Sequence, residues 1–227
     1  MSKLINCITK KDYSCIPIWF MRQAGRYLPE FRKIRSKNKN FIKLCLDSNL
    51  SSEITLQPLK RFNLDAAIIF SDILMIPYGL GQEVKFIKNK GPVLSDFNLD
   101  TFLKNDRDSF TEKLNPIYEA IKKTRKILNK EKSLISFVGA PWTLAIYMLG
   151  LKTNKNELDF NKLQEKKFEL EIIIDKLNEY LCVHLENQIK SGADIIQVFD
   201  SWAGLIEDKN LHDYCYLPNK KVVEFCK

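Results

Sequence analysis

Asp65-Ala66-Ala67-Ile68-Ile69-Phe70-Ser71-Asp72 decides how this chain folds. Its near-continuous apolar run is of strand length and suits a strand buried on both faces, as in parallel sheets. The run terminates abruptly in polar Ser71-Asp72. Two downstream runs have the same design. Leu134 to Val138 ends in Gly139-Ala140-Pro141-Trp142-Thr143, and Asp194 to Phe199 ends in Asp200-Ser201-Trp202-Ala203-Gly204. Upstream, Ile16-Pro17-Ile18-Trp19-Phe20 is long enough for one further buried strand, and it changes at once to Arg22-Gln23-Ala24-Gly25-Arg26-Tyr27.

Helical patterns separate these runs. Phe31 to Leu50 reads as basic helix and loop. Ser51-Ser52-Glu53 offers a helix start ahead of Ile54, Leu56 and Leu59, with Pro58 expected to kink or end that helix. Pro77 to Leu103 is turn-rich, with Val84-Lys85-Phe86-Ile87 as a hairpin arm. Ile117, Ala120, Ile121, Ile127 and Leu128 recur at helical spacing among lysines. Phe160 to Lys190 predicts the longest helix, with Ile173, Leu177, Leu181 and Leu185 on one face and Ser191-Gly192 as its stop. Strand, helix, strand, insertion and helix, strand, helix, strand is the alternation of an α/β fold with parallel strands and helical crossovers. In a (β/α) barrel the site is built at the C-terminal strand ends, and a complete barrel takes about 250 residues. The 227 residues of this chain reach only a fourth strand, so residues 1–227 are expected to form a single incomplete domain.

Composition narrows the function classes. With 45% hydrophobic and 11% aromatic residues the chain can bury a core, which argues against disorder. Its formal charge of +8 comes from 36 basic and 28 acidic residues. The lysines are dispersed without a long basic block, so nucleic acid is not favoured and an acidic small molecule fits equally well. Six cysteines lie without CxxC pairs, and MSKLINCITKKDY has no apolar h-region. Free thiols in a reducing cytosol are the simplest account, and no apolar run approaches membrane-spanning length. A soluble cytoplasmic protein is expected.

Polar groups at the strand exits carry the candidate chemistry. Arg22 and Arg26 follow the first run, Asp72 ends the second, Tyr147 lies shortly after the third and Ser201 follows the fourth. Guanidinium suits carboxylates because its rigid donor fork matches their two oxygens. If the strands are parallel neighbours, these groups converge on a mouth for an anionic molecule that also offers N–H or cationic groups. Structural readings compete with each assignment: solvated arginines, Asp72 or Asp200 as helix N-caps, Tyr147 as core. The two histidines, His184 and His212, sit in no nucleophile motif. His212-Asp213-Tyr214-Cys215 holds two metal-type ligands only, and no glycine-rich phosphate loop occurs.

Trp19-Phe20-Met21-Arg22-Gln23-Ala24-Gly25-Arg26-Tyr27-Leu28-Pro29-Glu30 resembles the signature of the uroporphyrinogen decarboxylase family. The resemblance continues through Thr55-Leu56-Gln57-Pro58, Asp65 to Leu74, Phe137 to Tyr147 and Ala193 to Gly204, in the family's order. It implies a TIM (β/α)8 barrel working as a homodimer, without metal or organic cofactor. The implied reaction converts the four acetate side chains of uroporphyrinogen, a tetrapyrrole, to methyls, giving coproporphyrinogen and carbon dioxide. By matching motif, Arg22 and Arg26 would bind substrate carboxylates, with Gln23, Ala24 and Gly25 between them as further substrate-binding residues. Arg22 would also be a candidate proton donor. Asp72 would face the pyrrole N–H groups, and Tyr147 and Ser201 would complete the substrate contacts.

This chain departs from the family pattern in two places. The family continues through further strands, one of which supplies a substrate-site histidine that neither His184 nor His212 matches. The chain therefore looks like an amino-terminal portion, expected to show little or no turnover by itself. Second, Tyr147-Met148-Leu149-Gly150-Leu151 lacks the acidic residue and glycines often found there. A related zinc- or corrinoid-dependent methyltransferase and a non-catalytic tetrapyrrole-binding chain are the alternatives.

Overall fold

The computed structural model of this chain describes residues 2–87, 90–154 and 157–227. Short polar residues set where several helices begin. Helix α1 (Lys3–Lys10) is capped by Ser2, and α2 (Pro29–Lys37) carries Pro29 in its first turn. Asn40 opens α3 (Phe41–Cys45) by accepting the Lys43 N–H at 3.0 Å. Asp47 opens α4 (Ser48–Arg61) by accepting those of Asn49 and Leu50 at 3.0 Å. Each cap satisfies amide donors that a helix start leaves unpaired. The fourth helix thus starts at Ser48 rather than at Ser51. It also runs through Pro58, which lies in its last turns. Only one helical bond is forfeited there, and the Pro58 carbonyl still accepts the Phe62 N–H at 2.9 Å.

Strand β1 (Ala66–Ile68) is fully buried. Then come α5 (Met75–Gly79), the antiparallel hairpin of β2 (Val84–Ile87) and β3 (Gly91–Leu94), α6 (Leu99–Leu103) and α7 (Arg107–Ile127). Strand β4 (Ser133–Gly139) leads into α8 (Pro141–Met148) and a small hairpin of β5 (Lys152–Asn154) and β6 (Glu157–Leu158). The helix expected from Phe160 to Lys190 is two, α9 (Phe160–Glu165) and α10 (Lys167–Lys190), meeting at Lys166. Strand β7 (Ile195–Phe199) is followed by a 3-10 turn, α11 (Asp208–Leu211), a π-helical turn at His212–Tyr216 and α12 (Leu217–Phe225).

Three of the four apolar runs join one sheet, in the order β1-β4-β7. β1 pairs in parallel with β4, with Ala66, Ala67 and Ile68 opposite Ser133, Leu134 and Ile135, so the α/β reading holds. The run Ile16–Phe20 is not a strand. Ile16 is 81% exposed and Phe20 60%. Ile18 alone engages the sheet side, its carbonyl accepting the Asp65 N–H and its N–H donating to Asp65 Oδ2, both at 2.8 Å. A run is dry on both faces only where other elements cover both, and Ile16–Phe20 lacks that cover. β7 is expected to be fully buried but is only half-buried throughout, whereas β1 is fully buried and β4 is buried everywhere except Phe137.

The chain divides into two compact units, residues 1–72, 114–137 and 186–197, and residues 73–113, 138–185 and 198–227. In the first, Leu28, Phe31, Leu44 and Ile54 form a core against which Ala24, Ile34, Leu50 and Phe70 pack. Gly192 follows α10 at φ +107°, and a Cβ there would stand 2.8 Å from Arg125 Cγ. Its bare backbone therefore lets Arg125 lie flat and reach Asp194 Oδ2 at 2.7 Å. The same Asp194 oxygen accepts the Leu134 N–H at 2.7 Å and fixes the start of β4.

The second unit buries Trp142, Phe110, Tyr180 and His184, with the Phe110 and Tyr180 rings 4.9 Å apart. Burial pushes the His184 imidazole down to about 3. Its folded pKa is depressed, so between pH 6.5 and 3 the unfolded chain takes up a proton that the folded one refuses. Stability is then lost as pH falls through that window, by up to about 1.4 kcal/mol per pH unit. The urea midpoint is expected to fall from pH 6.5 to pH 4, and His184→Leu to flatten that dependence. A variant retaining the full slope would refute the assignment. Among the described residues no helix is long and apolar enough to cross a membrane.

Candidate functional site

The first unit carries Arg22, Gln23, Ala24, Gly25, Arg26 and Asp72; the second carries Tyr147 and Ser201. In the first, the arginine loop is anchored by its uncharged members. Gln23 is buried, its Oε1 accepting the Phe20 N–H at 3.0 Å and its Nε2 donating to the Ala66 carbonyl of β1 at 3.1 Å. Ala24 packs on the Leu28–Phe31 core, and the Tyr27 hydroxyl donates back to the Gln23 carbonyl. Arg32 holds the far side, Nη1 donating to the Arg26 carbonyl at 2.7 Å and that of Tyr27 at 3.2 Å.

That anchoring leaves the two guanidiniums uncommitted. Arg35 and Arg61 are taken up by Asn38 and Glu30, and Arg125 by Asp194. Arg22 and Arg26 are exposed, and neither donates a side-chain hydrogen bond or forms an ion pair among the described residues. Arg22 instead lines an open cavity of about 290 Å³ with Phe20, Gln23, Tyr27, Phe62 and Leu64. A charged fork held on a fixed loop beside apolar walls suits an anionic partner that also has an apolar body.

Asp72 is half-buried beyond the exit of β1. It is not a helix cap, because the residue preceding α5 in that role is Leu74. Its approach is fixed by two hydroxyls on α4: Thr55 Oγ1 accepts the Phe70 N–H at 2.8 Å, and Ser51 Oγ donates to the Phe70 carbonyl at 2.6 Å. The pair clamps both backbone groups of a residue that has left the ladder. Burial, with the Asp72 carboxylate as the second cause, holds the Cys45 thiol well above the usual range. The sequence reading did not single out Ser51 and Thr55 for this role. Their signal is a pair of hydroxyls at i and i+4, which share one face of the helix. Thr55→Val leaves the Phe70 N–H unpaired and should cost about 1–3 kcal/mol, measured by urea unfolding. An unchanged midpoint would remove the clamp from the account.

In the second unit, β4 ends at Gly139, where a Cβ would stand 2.8 Å from Leu144 Cδ2. Any larger residue there would force the buried Leu144 side chain to shift. Thr143 on α8 then ties the Ser201 turn: its Oγ1 donates to Asp200 Oδ1 at 2.8 Å and accepts the Trp202 N–H at 3.1 Å. Asn219 donates to the other Asp200 oxygen at 2.9 Å. Asp200 is thus a brace rather than an N-cap. Trp142 Nε1 donates to the Trp202 carbonyl at 3.1 Å. Ser201 itself is exposed, and Tyr147 is half-buried with its ring 5.9 Å from that of Trp202 at 81°. Neither hydroxyl is hydrogen-bonded among the described residues. Of the expected second-unit pair, Tyr147 and Ser201 are therefore brought to one local cluster through Trp202.

His212 lies 2.9 Å from Asp213 Oδ1 and stacks on Tyr216. Among the described residues no group of three or more His, Cys, Asp or Glu is placed to hold a metal ion.

The family model described as "Uroporphyrinogen decarboxylase (URO-D)" matches residues 1–227. The chain belongs to the uroporphyrinogen decarboxylase family. A uroporphyrinogen decarboxylase of Rickettsia felis is 44% identical over 229 residues, covering 98% of this chain and 64% of that protein. One from Orientia tsutsugamushi is 43% identical, covering 100% of this chain and 66% of the relative. One from Rickettsia bellii is 46% identical over 213 residues. This family member thus spans about two thirds of the length of the curated relatives it matches. Among solved structures, a methyltransferase from Methanosarcina mazei superposes with a TM-score of 0.75 at 18% identity, over 97% of this chain and 65% of that one. That likeness bears on the fold alone, and it agrees with the parallel α/β arrangement.

Proposed function

We propose that the protein takes part in uroporphyrinogen decarboxylation, as a cytoplasmic homodimer in which these residues belong to a TIM (β/α)8 barrel of a single domain. The observation that carries the reading is the pair of uncommitted guanidiniums, Arg22 and Arg26, on a loop anchored by Gln23 and Ala24 in a chain of this family. The six free cysteines support a reducing compartment.

Losing CO₂ from a pyrrole acetate requires a sink for the electron pair of the breaking C–C bond. A proton added to the pyrrole ring makes that sink. The pair flows into the ring as CO₂ leaves, and protonation of the resulting exocyclic methylene with loss of the ring proton gives the methyl. One proton is consumed per acetate. In this reading the Asp72 carboxylate stabilises the cationic ring and faces the pyrrole N–H groups. Arg22 and Arg26 hold other carboxylates and select the acetate that reacts, while Tyr147 and Ser201 donate their uncommitted hydroxyls. Arg22 is the weaker choice as acid, because guanidinium holds its proton tightly. No metal or organic cofactor enters the scheme.

Incubation with uroporphyrinogen, followed by oxidation and chromatographic counting of carboxyl groups, tests the reading. Products with seven to four carboxyls are expected when the remaining third of a relative is supplied, and far fewer from residues 1–227 alone. Uroporphyrin that neither binds nor loses carboxyls in either preparation would sink it. Sedimentation velocity tests the dimer.

A further inference from the structure

The second unit contains a cavity of about 200 Å³ of whose lining the scheme above uses Tyr147 alone. Its lining includes Ser95 and Asp96 after β3, Tyr147 on α8, Lys152 on β5 and Lys162 on α9. Lys152 Nζ stands 4.9 Å from the centre of the Tyr147 ring and makes no ion pair among the described residues. Lys162 Nζ donates to the Gly150 carbonyl at 3.1 Å, which leaves two of its three protons uncommitted. Asp96, the carboxylate of the lining, bridges to neither lysine. Two cations, one carboxylate and the free Tyr147 hydroxyl leave the cavity one positive charge in excess.

We propose that this cavity is a carboxylate subsite, in which Lys152 and Lys162 grip one carboxylate arm of the tetrapyrrole while its ring lies elsewhere. The inference rests on the decarboxylase reading. Size supports it, because whole-ligand cavities run to about 300–1,000 Å³, so this one admits a side arm and not a macrocycle. Burial lowers the Lys152 pKa, which marks an ammonium short of both solvent and counter-ion. A guest carboxylate would supply the missing charge and accept from the Tyr147 hydroxyl. Lys152 occupies the stretch just beyond Tyr147-Met148-Leu149-Gly150-Leu151, where the chain carries no acidic residue.

Two measurements test this. Uroporphyrin, the stable oxidised octacarboxylate, is titrated against the wild-type chain and Lys152→Met by fluorescence quenching at low salt. Separately, lysines are reductively methylated with ¹³C, and the Lys152 signal, assigned by its loss in Lys152→Arg, is followed as propionate is added. The expected results are about tenfold weaker uroporphyrin binding in Lys152→Met, with unchanged thermal unfolding, and a saturable shift of the Lys152 signal. Equal affinity of wild type and Lys152→Met overturns the inference. It does so even if propionate moves the signal, because the site would then serve a free small carboxylate instead. Should uroporphyrin fail to bind the wild type while propionate moves the signal, the tetrapyrrole reading falls and the carboxylate site stands. No binding and no movement removes both.

Discussion

Replacing Arg22 and Arg26 together by glutamine lowers uroporphyrin affinity about 100-fold, the equivalent of about 2.8 kcal/mol. Both guanidiniums are exposed in the free chain, where an ion pair would contribute only about 0–1 kcal/mol. The larger figure arises because a bound tetrapyrrole would exclude water from the loop, and hydrogen bonds to charged groups are then worth about 1.5–3 kcal/mol each. Glutamine keeps length and polarity but removes the charge and the fork. The loop should hold its position, since Gln23, Ala24 and Arg32 anchor it and neither arginine side chain does. Lys104→Gln with Arg107→Gln removes the same two charges from exposed positions and controls for bulk attraction. Affinities that fall equally in both double variants would mean the loop has no special role.

Trp142→Ala is expected to cost about 3–5 kcal/mol, the largest single loss of stability in the second unit. Trp142 is 0% exposed and packs 5.7 Å from the Tyr214 ring. Truncation empties that volume and removes one of two donors to the Trp202 carbonyl, which keeps the Leu205 N–H at 3.1 Å. For a chain of this size, about 2–4 °C is lost per kcal/mol, so unfolding should come at least about 6 °C earlier. Trp142→Phe separates the two causes, since it fills most of the space without the N–H. Its loss should be nearer the ~0.5–1.5 kcal/mol of one net hydrogen bond, because the Leu205 N–H still pairs the Trp202 carbonyl. An alanine variant melting within about 2 °C of wild type would show that this ring is not a keystone of the Ser201 turn.

What the sequence disclosed depended on whether the controlling physics was local. The runs at Ala66, Leu134 and Ile195 were readable because an unbroken apolar stretch carries its own signal. Ile16–Phe20 is apolar too, yet it is largely exposed, because burial depends on what packs over a run and not on its own residues. Pro58 misled for a related reason: its cost depends on where the helix ends, and Asp47 had moved the start upstream. At the candidate site the charged groups were conspicuous, but the residues that position them were not. Ser51, Thr55 and Thr143 bond across gaps of 15 to 59 residues, and spacing along the chain does not announce such bonds. Lys152 carries no sequence motif, and only its ammonium over the Tyr147 ring singles it out.

The hydroxyl clamp on Phe70 also bears on the order of assembly. Ser51 and Thr55 lie 19 and 15 positions from the residue they hold. Ala66, by contrast, must wait for Ser133 before it gains its strand partner. At synthesis rates of about 5–20 residues per second, that wait lasts roughly 3–13 s. During it the nascent apolar segment has α4 as its local shield, docked through two short-range bonds whose loop-closure cost is small. Ribosome-arrested chains ending near residue 110 should therefore already protect the Phe70 amide from exchange, and Thr55→Val should abolish that protection while synthesis is still under way.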